Sequence, residues 1–227
     1  MRKILLCFMA VAAVMVFHNC QQKNPNECRI HGFVSDEKFE GKRVFLVPFY
    51  GPKVAETVDS VEIKNGRFEF TTDSMKLYKI LIDLRFRMGV QPLLVIGEPG
   101  DVKVTIDSVS HAVGTPQNDS LEQWKVRTEI HNRELGKMHK YADDLKEKGD
   151  SVQANYILHR ADSFHLVYKN YTRRLAKNMK EGILHDFLKD LFPLTYKRKY
   201  PDGRTVLMNA DTNEEIEEVK SDQELGN

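Results

Sequence analysis

The sequence predicts an α+β protein, an antiparallel β-sandwich or partial barrel followed by an antiparallel helical hairpin. Three observations carry this. Residues 28–107 are short β-branched and aromatic runs broken by turn residues, as strands are. After Gly114, apolar residues recur at alternating steps of three and four, as on one face of a helix. Gly149-Asp150-Ser151 then stops and restarts that pattern.

Residues 1–19 belong to neither half. Arg2 and Lys3 precede the apolar and small-residue run Ile4–Phe17, and polar Gln21, Gln22 and Lys23 follow Cys20. That is the layout of a bacterial secretory signal. The run falls short of the roughly 20 apolar residues that cross a bilayer. A cysteine stands where the leader ends, although His18 and Asn19 occupy positions usually held by small residues. The layout therefore predicts cleavage before Cys20 and acylation of its thiol and new amino group. Each buried acyl CH₂ contributes about 0.8 kcal/mol, so two or three chains anchor firmly. The expected location is the cell envelope, lipid-anchored to the outer membrane and facing the periplasm, with 20–27 as a linker.

Seven strands are expected in the β half: Cys28–Val34, Arg43–Phe49, Val54–Ile63, Arg67–Thr71, Tyr78–Arg85, Pro92–Ile96 and Val102–Ile106. Around Asn65-Gly66, Val61 and Ile63 alternate with polar residues, as do Phe68 and Phe70. Asn-Gly accepts the positive φ of a tight primed turn, which predicts a hairpin. Glu98-Pro99-Gly100-Asp101 predicts a second, because Pro99 presets φ and Gly100 tolerates positive values.

Domain boundaries are expected at 28–114 for the β half and 115–193 for the helices. The first stripe runs through Leu121, Trp124, Thr128, His131, Leu135, Met138, Ala142 and Leu145. The second runs through Ile157, Ala161, Phe164, Tyr168, Tyr171 and Leu175, and Ile183–Phe192 forms a third helix that Pro193 ends. A short connection makes the two long helices antiparallel. From Asp202 the chain holds eight acids against Arg204 and Lys220, and 194–227 reads as a disordered acidic tail.

Charge excludes one partner class. The chain carries a formal +1, and loss of Arg2 and Lys3 with the leader takes it to −1. Nucleic acid needs a basic face, so no nucleic-acid partner is expected. With Cys7 removed and Cys20 acylated, Cys28 is left single in a strand, where a buried small hydrophobe is its default role.

His159, Asp162 and His165 lie at successive three-residue steps on the second helix and are candidate metal ligands. Such steps drift round the helix, so the set needs His131 and Glu134 from the first helix to close it. Solvated surface polars are the simpler reading, and neither a metal nor another cofactor is expected. His131 and Trp124 read as core or interface residues. Lys169, Arg173, Arg174, Lys177 and Lys180 form a basic face, solvated by default, able to attract anionic headgroups or the acidic tail. Phosphate-binding, nucleophile-elbow, His-Glu-x-x-His and Cys-x-x-Cys motifs are missing, so no catalytic residue is assigned.

Asp59-Ser60-Val61, Lys64-Asn65-Gly66-Arg67-Phe68-Glu69-Phe70, Gly97-Glu98-Pro99-Gly100-Asp101 and Gly114-Thr115-Pro116-Gln117-Asn118 together resemble the DUF4369 domain of Bacteroidetes envelope proteins. The resemblance covers about residues 28–120. It implies a β domain in the envelope, which in that family often precedes a helical spacer and a thioredoxin-like, TlpA/AhpC-type domain. No Cys-x-x-Cys matches that catalytic motif, so the resemblance lends no redox chemistry. The expected function is a non-catalytic, envelope-anchored binding or scaffold module with an envelope protein or small ligand as partner. The alternatives are an accessory to thiol-disulfide exchange through a separate thioredoxin-like partner, and a metal-dependent enzyme on the helical hairpin.

Overall fold

The computed structural model describes residues 24–82 and 93–219, which divide into two compact units at Thr115/Pro116. Cys20 with the leader, the end of the fifth expected strand and residues 220–227 lie outside the described residues.

The first unit holds β1 (Cys28–Val34), β2 (Arg43–Pro48), β3 (Asp59–Glu62), β4 (Arg67–Thr72), β5 (Leu77–Ile82), β6 (Leu93–Ile96), β7 (Gly100–Ile106) and β8 (His111–Val113). They form two four-stranded sheets in the orders β4-β1-β7-β8 and β3-β2-β5-β6. All neighbours are antiparallel except β1 and β7, which run parallel from Cys28↔Gly100 to Val34↔Ile106. One core joins both sheets, with Ile30, Phe70 and Val102 from the first and Val44, Ile80 and Val95 from the second. The choice between sandwich and partial barrel is thus settled as two sheets face to face. Burial alternates along β1, so the period of two legible in the sequence is the core-facing period.

Both expected hairpins are corrected. Asn65 (φ 52°) and Gly66 (φ 68°) do make a tight turn, and Lys64 and Arg67 exchange backbone hydrogen bonds of 2.9 and 3.0 Å. The ladder stops at that bridge: β3 joins β2 while β4 joins β1 in the other sheet. Gly100 (φ 128°) likewise sits where the chain leaves β6 in one sheet for β7 in the other. These turns are corners, because a sandwich must carry its chain between layers. The Glu40 carboxylate clamps the first, accepting from Asn65 N at 2.7 Å and Gly66 N at 2.9 Å. Within the expected Val54–Ile63 strand, Thr57 Oγ1 folds residues 52–57 into a turn by donating to Pro52 O at 2.8 Å.

The second unit contains α1 (Pro116–Glu147), α2 (Ser151–Met179), α3 (Ile183–Leu191), β9 (Thr195–Lys199), β10 (Thr205–Asn209) and β11 (Glu215–Val219). Asp150 caps α2 by accepting from Gln153 N at 3.0 Å. The side chain of Gln117 on α1 reaches the start of α3, where its Oε1 accepts from Leu184 N at 3.0 Å. Leu184, Phe187 and Leu188 of α3 are buried, and Phe187 meets Trp124 edge-on at 5.7 Å.

The disordered-tail expectation is overturned for Thr195–Val219, a three-stranded antiparallel sheet ordered β11-β10-β9. Val206 and Met208 on the central strand are each 2 % exposed. Their burial supplies the apolar gain that the acidic composition around them concealed.

Candidate functional site

Two polar constructions stand out in the helical unit. The first is a row of pairs between α1 and α2. Trp124 Nε1 donates to Thr172 Oγ1 at 3.2 Å, Thr128 Oγ1 and Tyr168 Oη lie 2.6 Å apart, and His131 Nε2 and His165 Nδ1 lie 3.1 Å apart. Partners advance on one helix as they retreat on the other, which confirms the antiparallel hairpin. His131 is 4 % exposed and stacks on Tyr168 at 4.1 Å and on Phe164 at 4.9 Å. Its Nδ1 is buried without a partner. Burial first, and the neighbouring His165 second, hold His131 below the usual histidine range. Burial, then the Lys169 ammonium, lowers His165 as well.

This pairing answers the metal-ligand expectation. His165 turns to His131, whereas His159 and Asp162 are exposed. Glu134 pairs with Lys137 at 2.9 Å and Arg133 at 3.4 Å. Among the described residues no group of three or more His, Cys, Asp or Glu side chains could hold a metal ion. The helical drift predicted by three-residue spacing is what separates the candidates.

The second construction is an open groove of about 870 Å³ where α2, α3 and the start of β9 meet. Arg173 builds its wall. Its guanidinium donates to Phe192 O at 2.9 Å and Pro193 O at 3.0 Å, and to both carboxylate oxygens of Asp211 at 2.5 and 3.1 Å. Lys169 adds a contact of 2.5 Å to Asp211. The two cations hold the Asp211 carboxyl down at about 2. Two members of the predicted basic face therefore bind the acidic segment, against the default of a solvated face.

Two other members of that face stay available, joined by a cation of α3 outside the predicted set. Arg174 and Lys177 on α2 and Lys189 on α3 line the groove, and none has a carboxylate partner among the described residues. Val167, Phe192 and Leu194 supply apolar lining beside them, with Val167 60 % and Leu194 66 % exposed. Asp190 is the one acid in the lining. The arrangement can hold a negative group against Arg174, Lys177 or Lys189 and an apolar body against the floor. Sequence reading found the cations of α2 but missed the groove, because its other walls come from α3 and the segment after Pro193.

Cys28 is fully buried in β1, and burial, reinforced by the charges of Glu98 and Asp101, pushes its thiol up to about 11. A thiol so placed is neutral at physiological pH.

Taken together, the molecule is a mixed α+β protein: a β-sandwich unit, then a helical hairpin unit closed by a small sheet. Residues 28–121, the sandwich and the start of α1, match the family model described as Domain of unknown function (DUF4369). No curated protein and no solved structure matches the chain.

Proposed function

We propose that this chain is an envelope-anchored lipoprotein acting as a non-catalytic binding module, and that its ligand is an amphiphile with an anionic head held in the α2–α3 groove. One observation carries the ligand class: Arg174, Lys177 and Lys189, without internal partners, rim an apolar lining of Val167, Phe192 and Leu194. The groove's volume of about 870 Å³ is that of a small-molecule site. Exposed apolar surface beside unpaired cations is costly in water and gains when one ligand covers both. The leader layout ending at Cys20 supports the lipid anchor, and the neutral, buried Cys28 supports a role without thiol chemistry.

The test is calorimetric titration of residues 21–227 with dodecyl phosphate, dodecyl maltoside and inorganic phosphate, below their micelle concentrations. Dodecyl phosphate should bind, the neutral-headed and tail-less probes should bind at least tenfold more weakly, and Arg174→Ala with Lys177→Ala should abolish the preference. Equal binding of the two dodecyl compounds would reject the anionic site. Metabolic labelling with an alkyne fatty acid tests the anchor separately, since Cys20→Ala must lose the label.

A further inference from the structure

We propose that the C-terminal sheet joins copies of this chain head to tail, the outer edge of β9 in one copy pairing with the outer edge of β11 in the next. In the order β11-β10-β9, both outer strands present an edge that no described strand covers. Such edges carry unpaired backbone donors and acceptors and are templates for strand addition. Every residue of β9 is exposed, as are Glu215, Ile216, Glu217 and Glu218 of β11.

The charges on these edges choose the partner. β9 carries Lys197, Arg198 and Lys199 and no acid, and β11 carries Glu215, Glu217 and Glu218 and no base. Arg204 approaches Glu215 at 3.9 Å, but Lys197, Lys199, Glu217 and Glu218 have no ion-pair partner among the described residues. Charged edge strands ordinarily protect a sheet from association, because like edges repel. Here that protection covers only the two symmetric pairings, β9 with β9 and β11 with β11. The mixed pairing sets the cations of β9 against Glu217 and Glu218 of β11 and is attractive. It is heterologous, so each added copy presents a fresh β9 or β11 edge, and the product is a chain or a ring rather than a closed two-fold dimer.

The contact is short. The register shift between Leu207 and Met208 displaces Ile216, leaving Glu217–Val219 as the regular part of the β11 edge. A patch of this size gives a weak association, so covalent trapping is the suitable readout.

The experiment uses two single-substitution variants of the full chain, Arg198→Cys on β9 and Glu218→Cys on β11, treated with a short bismaleimide. Arg198 and Glu218 both flank Val206 from opposite sides of β10, so mixing separate variants excludes linkage within one molecule. Dimer should form several-fold more in the equal mixture than with either variant alone. It should fall as salt rises from about 0.01 M to about 1 M, where the screening length shrinks from about 30 Å to about 3 Å. Lys197→Glu with Lys199→Glu in the β9 variant should abolish it, and Glu217→Lys in the β11 variant should restore it. Thermal unfolding of each variant checks that the sheet is intact. No dimer in the mixture, equal dimer from either variant alone, or no response to charge reversal would overturn the proposal.

Discussion

Replacing Gly32 by alanine should damage the sandwich through one identifiable clash. Gly32 lies on β1 opposite Phe68 of β4. A Cβ built there would stand 2.0 Å from Cζ of the Phe68 ring and 2.2 and 2.3 Å from its Cε atoms. The ring cannot give way cheaply, since Phe68 is 5 % exposed and packs edge-on to Phe70 at 5.8 Å. Expelling a core aromatic forfeits about 1.5–3 kcal/mol of burial. Forcing it to stay costs about 1–3 kcal/mol as overpacking. Alanine returns about 0.5–1 kcal/mol by restricting the unfolded chain. The net expectation is a loss of about 2 kcal/mol. Phe68→Leu removes the ring atoms that collide, so in that background Gly32→Ala should be near neutral. Because two units make a single transition unsafe to assume, the readout is hydrogen exchange of the Ile30 and Val104 amides in the strands beside the clash. A cost below about 0.5 kcal/mol, or an equal cost in both backgrounds, would refute a steric origin.

Three further outcomes are expected. The helical unit should weaken in acid: folded His131 and His165 bind protons less readily than in the unfolded chain, so their contribution is present above about pH 6.5 and is lost as pH falls through the lower folded values. His131→Phe should flatten that dependence in thermal melts taken across pH 4–8. Asp211 has a folded value of about 2 against 3.8, so its contribution is complete above the higher value and lost as pH falls through the lower. Asp211→Asn should cost on the order of 1 kcal/mol at neutral pH, read as faster exchange of the β10 amides. Cys28 should stay unmodified by a thiol reagent at pH 8 until the chain is unfolded, and an insulin-reduction assay should stay at background; turnover that vanishes in Cys28→Ser would contradict its placement.

What the sequence disclosed was local periodicity. The strand alternation of Val61–Phe70, the three-four stripe from Leu121 and the Gly149-Asp150 break all rest on backbone geometry within a few residues, and each reappears in the fold. Pairing partners are non-local, so the Asn65-Gly66 turn could be placed while the sheets on either side of it could not. The segment after Asp202 misled because eight acids outweigh three consecutive apolar residues, Val206, Leu207 and Met208, the first and last of which are buried. His131 was legible as a stripe residue, but His165 lies off the second stripe, and only the helix register brings the rings together. The groove left one trace, the cations of α2. Its depth depends on where α3 and Phe192–Thr195 return, which no local pattern encodes.

The helical hairpin is fastened unevenly along its length. Near one end, Leu121, Trp124, His131, Tyr168, Thr172 and Ala176 are buried, and α3 packs there through Phe187 on Trp124. Toward the Gly149 bend the fully buried residues are Ala142, Ala154 and Ala161, while Leu135, Met138, Leu145 and Ile157 keep part of their surface in water. An alanine seam lets helices approach but buries little area per turn, so opening there breaks few contacts. The hairpin is built like a pair of tongs with a welded pivot and loosely latched tips. Within the hairpin, the end toward Gly149 is the one that opens at least energetic expense.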